Sequence, residues 1–290
     1  LLVFYFIYRN ADQTDKIHAA IEKLASGETS YKVDVNDFSS LEAELAEGLN
    51  RISDGLETAL AEQVKSERLK ADLITNVSHD IKTPLTSIIN YVDLIKRQHI
   101  EDPTVQKYLE VLDQKSQRLK TLTEDLVEAS RASSGNIKLE ITNIDFVELV
   151  QQTTGEFEEK YAIRHLEIVN TLPNEVIMIE ADGRRLWRVL ENLYNNAFKY
   201  ALEGTRVYVT IEDHGADVVF TIKNVSANPL NISPDELTER FVRGDVSRTT
   251  EGSGLGLSIA KDLTTLQGGK FELIIDGDLF KAQITFPIKN

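Results

Sequence analysis

The sequence predicts a multi-domain chain. An all-α coiled-coil section that completes a dimeric four-helix bundle is followed by an α+β sandwich, with helices on one face of a mixed sheet. Three observations predict it. Apolar residues recur at heptad spacing through Ile74, Ile81, Ile88 and Ile95, with Ser78, Leu85 and Val92 four residues after the first three. A second heptad line, Val105, Leu112, Leu119 and Leu126, follows a short break at Pro103. Past Ser133-Ser134-Gly135-Asn136 the period changes, and helical stretches alternate with β-rich ones to the end.

At 290 residues the chain is long enough for two or three units. A formal charge of −15 argues against unspecific nucleic-acid binding. The absence of cysteine excludes disulfides and thiolate metal sites, and fits a reducing compartment. Residues 1–10, LLVFYFIYRN, are too few to span a bilayer, which needs about 20 apolar residues. They also lack the positive start of a signal peptide. They read as the end of a truncated transmembrane helix, with aromatics and Arg9 at the interface, so the chain is expected to be the cytoplasmic portion of a membrane protein.

Residues 11–66 read as two short amphipathic helices joined by an extended connector. The first carries Ile17, Ile21 and Leu24 and stops near Gly27. The connector, 28–38, alternates Tyr31, Val33 and Val35 with polar residues. Ser39-Ser40 then caps a helix with Leu41, Leu45, Leu49, Ile52 and Leu56 in register. Nothing breaks that helix before Leu69, so it is predicted to run on as one rod.

Residues 67–134 read as a helical hairpin. The first helix is expected to end around 98–102, with Pro103 opening the second. One hairpin cannot hide two seams, so a homodimer is expected. His79 stands one step past seam residue Ser78, on the flank near solvent, where a buried structural histidine would not be. Thr83 lies on the same face as His79. Pro84 removes an N–H and crowds the carbonyl of Asp80, at about 3 kcal/mol. Such a residue in a strong helical pattern marks a bending point with a use.

Within 135–290, strands are predicted over 137–144, 166–172, 176–180, 206–212, 218–223, 270–275 and 280–286. Asp145 and Asp182 cap helices reaching about Tyr161 and Tyr200, and a further helix covers 255–266. On the 182–200 helix, Val189, Leu193 and Ala197 form the apolar face, while Asn192 and Asn196 stand one turn apart and Lys199 continues their stripe. Asparagine is a weak helix former, so two on one face point to a polar ligand, although a solvated face would read the same way. Their carbonyl oxygens suit Mg²⁺, which takes a few protein oxygens plus water and phosphate, and Lys199 can meet a phosphate.

Gly252-Ser253-Gly254-Leu255-Gly256-Leu257 opens the 255–266 helix. A glycine loop there aims free N–H groups and the positive end of the helix dipole at an anion. It is neither a Walker loop nor a convincing dinucleotide fingerprint. The preceding Glu239-Arg240-Phe241-Val242-Arg243-Gly244-Asp245 and Arg248 supply an aromatic anchor and cations, as a mobile lid over phosphates requires.

Taken in this order, these pieces resemble a bacterial two-component sensor histidine kinase. His79-Asp80-Ile81-Lys82-Thr83-Pro84-Leu85 resembles the family's phosphoacceptor box. Asn192 to Tyr200 resembles its N box, Phe241 with its neighbours its F box, and Gly252 to Leu257 its second glycine box. Residues 11–66 resemble a HAMP signal-relay linker, without the proline often found in that module's first helix. The resemblance implies a dimerisation and phosphotransfer hairpin at 67–134 and an ATP-binding domain at 135–290, of the type shared with gyrase and the heat-shock chaperone. It implies that ATP and Mg²⁺ are held by Asn192, Asn196, Lys199, Tyr200, Asn224, Arg243, Arg248, Gly252, Ser253, Gly254, Leu255 and Gly256, with the metal on Asn192 and Asn196.

One departure stands out. The family's first glycine box usually reads Asp-x-Gly-x-Gly, its Asp accepting from the adenine amino group. Here Asn224-Val225-Ser226-Ala227-Asn228 occupies that place. A neutral amide oxygen still accepts, more weakly, so weaker ATP binding is expected. The resemblance further implies that His79 attacks the γ-phosphorus, with Asp80 as base and orienter, and passes the phosphoryl group to an Asp of a response-regulator receiver domain. Thr83 would hold a water for dephosphorylating that regulator. The alternative is a phosphatase-dominant or scaffold-like signalling protein that binds ATP weakly.

Overall fold

The computed structural model describes residues 2–38, 40–98, 100–135, 137–239 and 253–289. The chain divides into two compact units, Leu1–Lys70 and Ala71–Asn290. In the first, α1 (Leu2–Ala25) is one continuous helix where the sequence divided the stretch after residue 10. Gly27 (φ 98°) ends it. The connector packs Val33 and Phe38 against Ala20 and the beginning of α2 (Ser40–Lys96) at Ala46. Asn50 fixes it by a two-way bond: its amide donates to Val33 O and its oxygen accepts from Val33 N, both at 2.9 Å. The connector is not extended throughout. Asp34 accepts from Asn36 N, and Val35–Asp37 closes into a 3₁₀ turn. Ser39, expected to cap α2, lies outside the described residues. No described helix is long and apolar enough to cross a membrane.

The second unit begins within α2, which continues through Pro84 as a helix. Asp102 caps α3 (Pro103–Ser133) by accepting from Thr104 N and Val105 N, and Pro103 occupies the first turn, where its missing N–H costs nothing. The two helices run antiparallel: Lys96 meets Asp113 at 2.7 Å and Lys82 approaches Glu124 at 4.0 Å. Buried positions recur every seven residues on both, at Ala71, Ser78, Leu85 and Val92 and at Leu109, Ser116, Thr123 and Ser130. The predicted seam is therefore split. Its Ser78–Leu85–Val92 half closes the hairpin, while Ile81, Ile88, Ile95, Leu112 and Leu119 remain exposed.

Beyond the hairpin, β1 (Thr142–Asp145) is shorter than the predicted 137–144 strand, because its pairing with β3 (Met178–Ala181) extends over four residues only. Asp145 caps α4 (Phe146–Ala162), and Asp182 caps α5 (Gly183–Tyr200). The main sheet has order β2-β4-β5-β7-β6, from β2 (Glu167–Thr171), β4 (Arg206–Asp213), β5 (Asp217–Val225), β6 (Lys270–Asp276) and β7 (Leu279–Pro287). Among the described strands of this sheet only β2 and β4 are parallel, so the sheet is mixed as expected. Val207, Val209, Ile211, Val218, Phe220 and Ile222 alternate onto the buried face. There they meet α4, α5 and α7 (Gly256–Leu266), with Phe146 6.3 Å from Phe220 and 6.2 Å from Phe286 between ring centres. A short α6 (Pro234–Thr238) precedes α7. The core also takes in Ala129 and Ala132 of α3, so it does not stop at the expected 134/135 boundary.

Candidate functional site

The site is organised by α5. Asp182 starts it, accepting from Arg184 N and Arg185 N, while its own N–H donates to Gln267 Oε1 at 2.8 Å and ties the start of α5 to the end of α7. Leu186, Val189, Leu190, Leu193 and Ala197 are fully buried. That burial fixes the rotation of the helix and presents the polar stripe to a cavity of about 190 Å³. Asn192, Asn196, Lys199 and Tyr200 line it from α5, Asn224 and Ser226 from the end of β5 and just after it, and Ser253, Gly254 and Gly256 from the loop and start of α7.

Two positions favour glycine, one for its backbone conformation and one for a close approach. Gly254 has φ +70°, and a Cβ on Gly256 would stand 3.1 Å from Asn192 Oδ1. The first turn of α7 has no side-chain cap, which leaves backbone N–H groups for an anion. Leu255 corrects the expectation. It is 2% exposed and its side chain belongs to the core, not to the cavity. Arg243, Arg248 and Gly252, with Phe241, lie outside the described residues.

Asn224 is 2% exposed at the other end. Its amide donates to Val225 O at 3.1 Å, and its Oδ1 is buried without a partner. Because Val225 O is purely an acceptor, the NH₂ end must face it, and the oxygen is left to accept from a ligand. Asn192 is oriented likewise: its amide donates to Arg188 O at 2.9 Å.

Several contributors escaped the sequence, among them two on α3. Thr121 and Asp125 of α3 line the same cavity. Asp125 accepts from Ser253 Oγ at 3.1 Å and from Arg188 at 2.5 Å; Arg188 also binds Glu128 and Glu191, at 2.8 and 2.5 Å. Burial pushes the Asp125 carboxyl up, against the pull of Arg188. For Arg188, burial opposes the charge, but hydrogen bonds to Glu191 and Glu128 hold its pKa above the usual arginine value. Nothing local distinguishes Asp125 from the other acids of α3; only packing singles it out.

His79 is not brought to this cavity. Its side chain is 82% exposed on α2, with Nδ1 3.8 Å from Asp80 Oδ1, beyond hydrogen-bond range. Thr83 Oγ1 donates to His79 O at 3.4 Å. Among the described residues, no three His, Cys, Asp or Glu side chains cluster to hold a metal ion. Asn192 and Asn196 bring amide oxygens to the cavity wall beside the carboxylates of Asp125 and Glu191, and oxygen donors of this kind fit a hydrated Mg²⁺.

Comparison with known proteins matches residues 69–135 to the His Kinase A (phospho-acceptor) domain and residues 181–289 to the histidine kinase-, DNA gyrase B- and HSP90-like ATPase domain. The chain belongs to the sensor histidine kinases. Among such kinases, it is 28% identical to WalK of Bacillus subtilis over 80% of this chain and 39% of the relative. It is 31% identical to VanS of Enterococcus faecium over 77% of this chain and 58% of the relative. It thus spans roughly two to three fifths of these relatives' length. The histidine kinase ThkA, solved in complex with the response regulator protein TrrA, superposes with TM-score 0.54 at 26% identity, over 81% of this chain and 67% of that one. ShkA, solved with AMPPNP, shares the fold with TM-score 0.65 at 23% identity, over 76% of this chain and 46% of that one.

Proposed function

We propose that the chain autophosphorylates His79 from ATP and passes the phosphoryl group to an Asp of a response regulator. One observation carries this reading: a cavity joining amides, Lys199, a glycine loop and an unpartnered buried acceptor lies in the same folded unit as a hairpin bearing an exposed histidine. Asn224 Oδ1 accepts from the adenine amino group. Lys199 and the N–H groups opening α7 take the phosphates. Asn196 and Asn192 would hold Mg²⁺, which when bound neutralises phosphate charge. The ring nitrogen of His79 bonds to the γ-phosphorus while the bond to the departing ADP oxygen breaks. Asp80, within a small rotation of hydrogen-bond distance, orients the ring and takes its proton.

The reaction requires His79 and the Asn192 cavity to meet, in one protomer or across a dimer, so a domain movement precedes chemistry. Thr83 beside His79 is assigned to the reverse task of dephosphorylating the regulator. The unit before residue 71 is a HAMP-like relay. Incubating the chain with γ-labelled ATP and Mg²⁺ tests the core claim. Acid-labile, base-stable label should appear and be abolished in His79→Gln. Absent label, with regulator dephosphorylation that depends on Thr83, would establish the phosphatase reading instead.

A further inference from the structure

Three buried polar side-chain atoms lack a hydrogen-bond partner among the described residues, and two of them, Ser78 Oγ and Arg185 Nε, line one cavity. This cavity, about 410 Å³, lies between α2, α3 and the start of α5, and His79 is part of its wall. Ser78 is only 3% exposed, so its hydroxyl has no bulk water to turn to. Arg185 commits one arm to Glu128, Nη1 to Oε1 at 2.9 Å, and leaves Nε–H as an unused buried donor.

The charges agree with the orphaned donors. Lys82, Lys120, Arg131 and Arg185 line the cavity against Glu124 and Glu128. Glu128 is engaged by Arg185 and Arg188, and Glu124 comes no closer than 4.0 Å to Lys82. Lys120 and Arg131 make no ion pair among the described residues. A cationic, donor-rich cavity in a chain of net charge −15 asks for an oxyanion. Dimerisation does not fill it. Helical spacing sets Thr75, Lys82 and Thr86 on one side of Ser78, and the half-buried Ile74 with the exposed Ile81 and Ile88 on the other.

We propose that this cavity is an oxyanion site that holds the phosphoryl group carried by His79, with Arg185 reaching it from α5 and Lys120 and Arg131 from α3. The proposal rests on His79 being the phosphate acceptor. The histidine-borne phosphoryl brings negative charge and three acceptor oxygens to Ser78 Oγ–H and Arg185 Nε–H. Placed there, it is enclosed on one side from attacking water, and α5 is bridged to the phosphorylated hairpin. Inorganic phosphate has the same chemistry, so the two sources must be separated.

Phosphoramidate separates them without ATP. An imidazole nitrogen bonds to phosphorus as the reagent's P–N bond breaks, and ammonia leaves with the bonding pair. With the full chain phosphorylated in this way, phosphohistidine lifetime is followed by ³¹P NMR, and binding of inorganic phosphate to unphosphorylated chain by calorimetry. Lys120→Ala and Arg131→Ala, at exposed and unpaired positions, leave the fold intact. Each should shorten the lifetime and weaken phosphate binding by about fivefold, as loss of a partly exposed charge pair does; Arg185→Gln should do the same. Lifetimes equal to or longer than wild type overturn the proposal. Phosphate binding lost in these variants with lifetime unchanged assigns the cavity to free phosphate and overturns it too. Variant-sensitive lifetimes in a chain that takes no label from ATP would support the site while refuting the kinase reading.

Discussion

Asn224 illustrates how one side chain sets a ligand's chemistry. Its strand partners across the sheet are Val207 and Phe280, so it stands among apolar neighbours, with one end tied to Val225 O and the other unpaired. A charge-assisted bond is about twice as strong as a neutral one. Asn224→Asp should therefore tighten Mg²⁺–ATP binding by roughly fivefold in a calorimetric titration. An unchanged dissociation constant would remove Asn224 from the adenine contact. The sequence singled this residue out because it interrupts a motif, but only the burial and hydrogen bonding of the amide define which end faces the ligand. Leu255 is the converse: adjacency to two glycines drew it into the expected site, yet its side chain was claimed by the core.

At the scale of elements, α3 covers the nucleotide cavity. Asp125 contacts the Ser253 loop and lies near enough to Lys199 to feel its charge, so it occupies the electrostatic position that phosphates would take. A triphosphate and this carboxylate repel, so docking of α3 and nucleotide binding oppose each other, and by linkage the opposition is reciprocal. Asp125→Asn should raise nucleotide affinity about fivefold, with Arg188 still held by Glu128 and Glu191. Equal affinity in the variant and parent would mean that α3 docking and nucleotide binding are independent. On α2, Pro84 sits within a helix that does not stop, so its effect is the missing donor for Asp80 O, one turn back beside His79.

For the whole molecule, we propose that the exposed isoleucines set the state of assembly. Ile81, Ile88 and Ile95 with Leu112 and Leu119 form an apolar stripe too regular for a solvent face. Pairing with a second hairpin would complete a four-helix bundle around it. The double variant Ile81→Lys, Ile88→Lys would place charges in that seam, and light scattering should show the dimer mass falling to the monomer mass. Persistence of the dimer would move the interface elsewhere. The proposed autophosphorylation requires a domain movement as well, since His79 and the Asn192 cavity are separate sites here.

Local signals in the sequence were enough for most of the fold and half the site. Heptad spacing specified both hairpin helices, alternation specified the strands, and Asp145 and Asp182 announced their helices because capping is a local hydrogen-bond requirement. The Asn192–Asn196–Lys199 stripe and the glycine loop were legible for the same reason: helical periodicity and backbone freedom act over a few residues. Asp125, Arg188 and Arg185 were not, since each acquires its role from partners some 60 to 130 residues away, across α3, α5 and the Ser253 loop. The seam was visible, but which half of it faced inward was not. Heptad spacing marks both halves without ranking them, and the isoleucine half is the more apolar; only the packing of α2 on α3 buried Ser78, Leu85 and Val92 and left Ile81, Ile88 and Ile95 exposed.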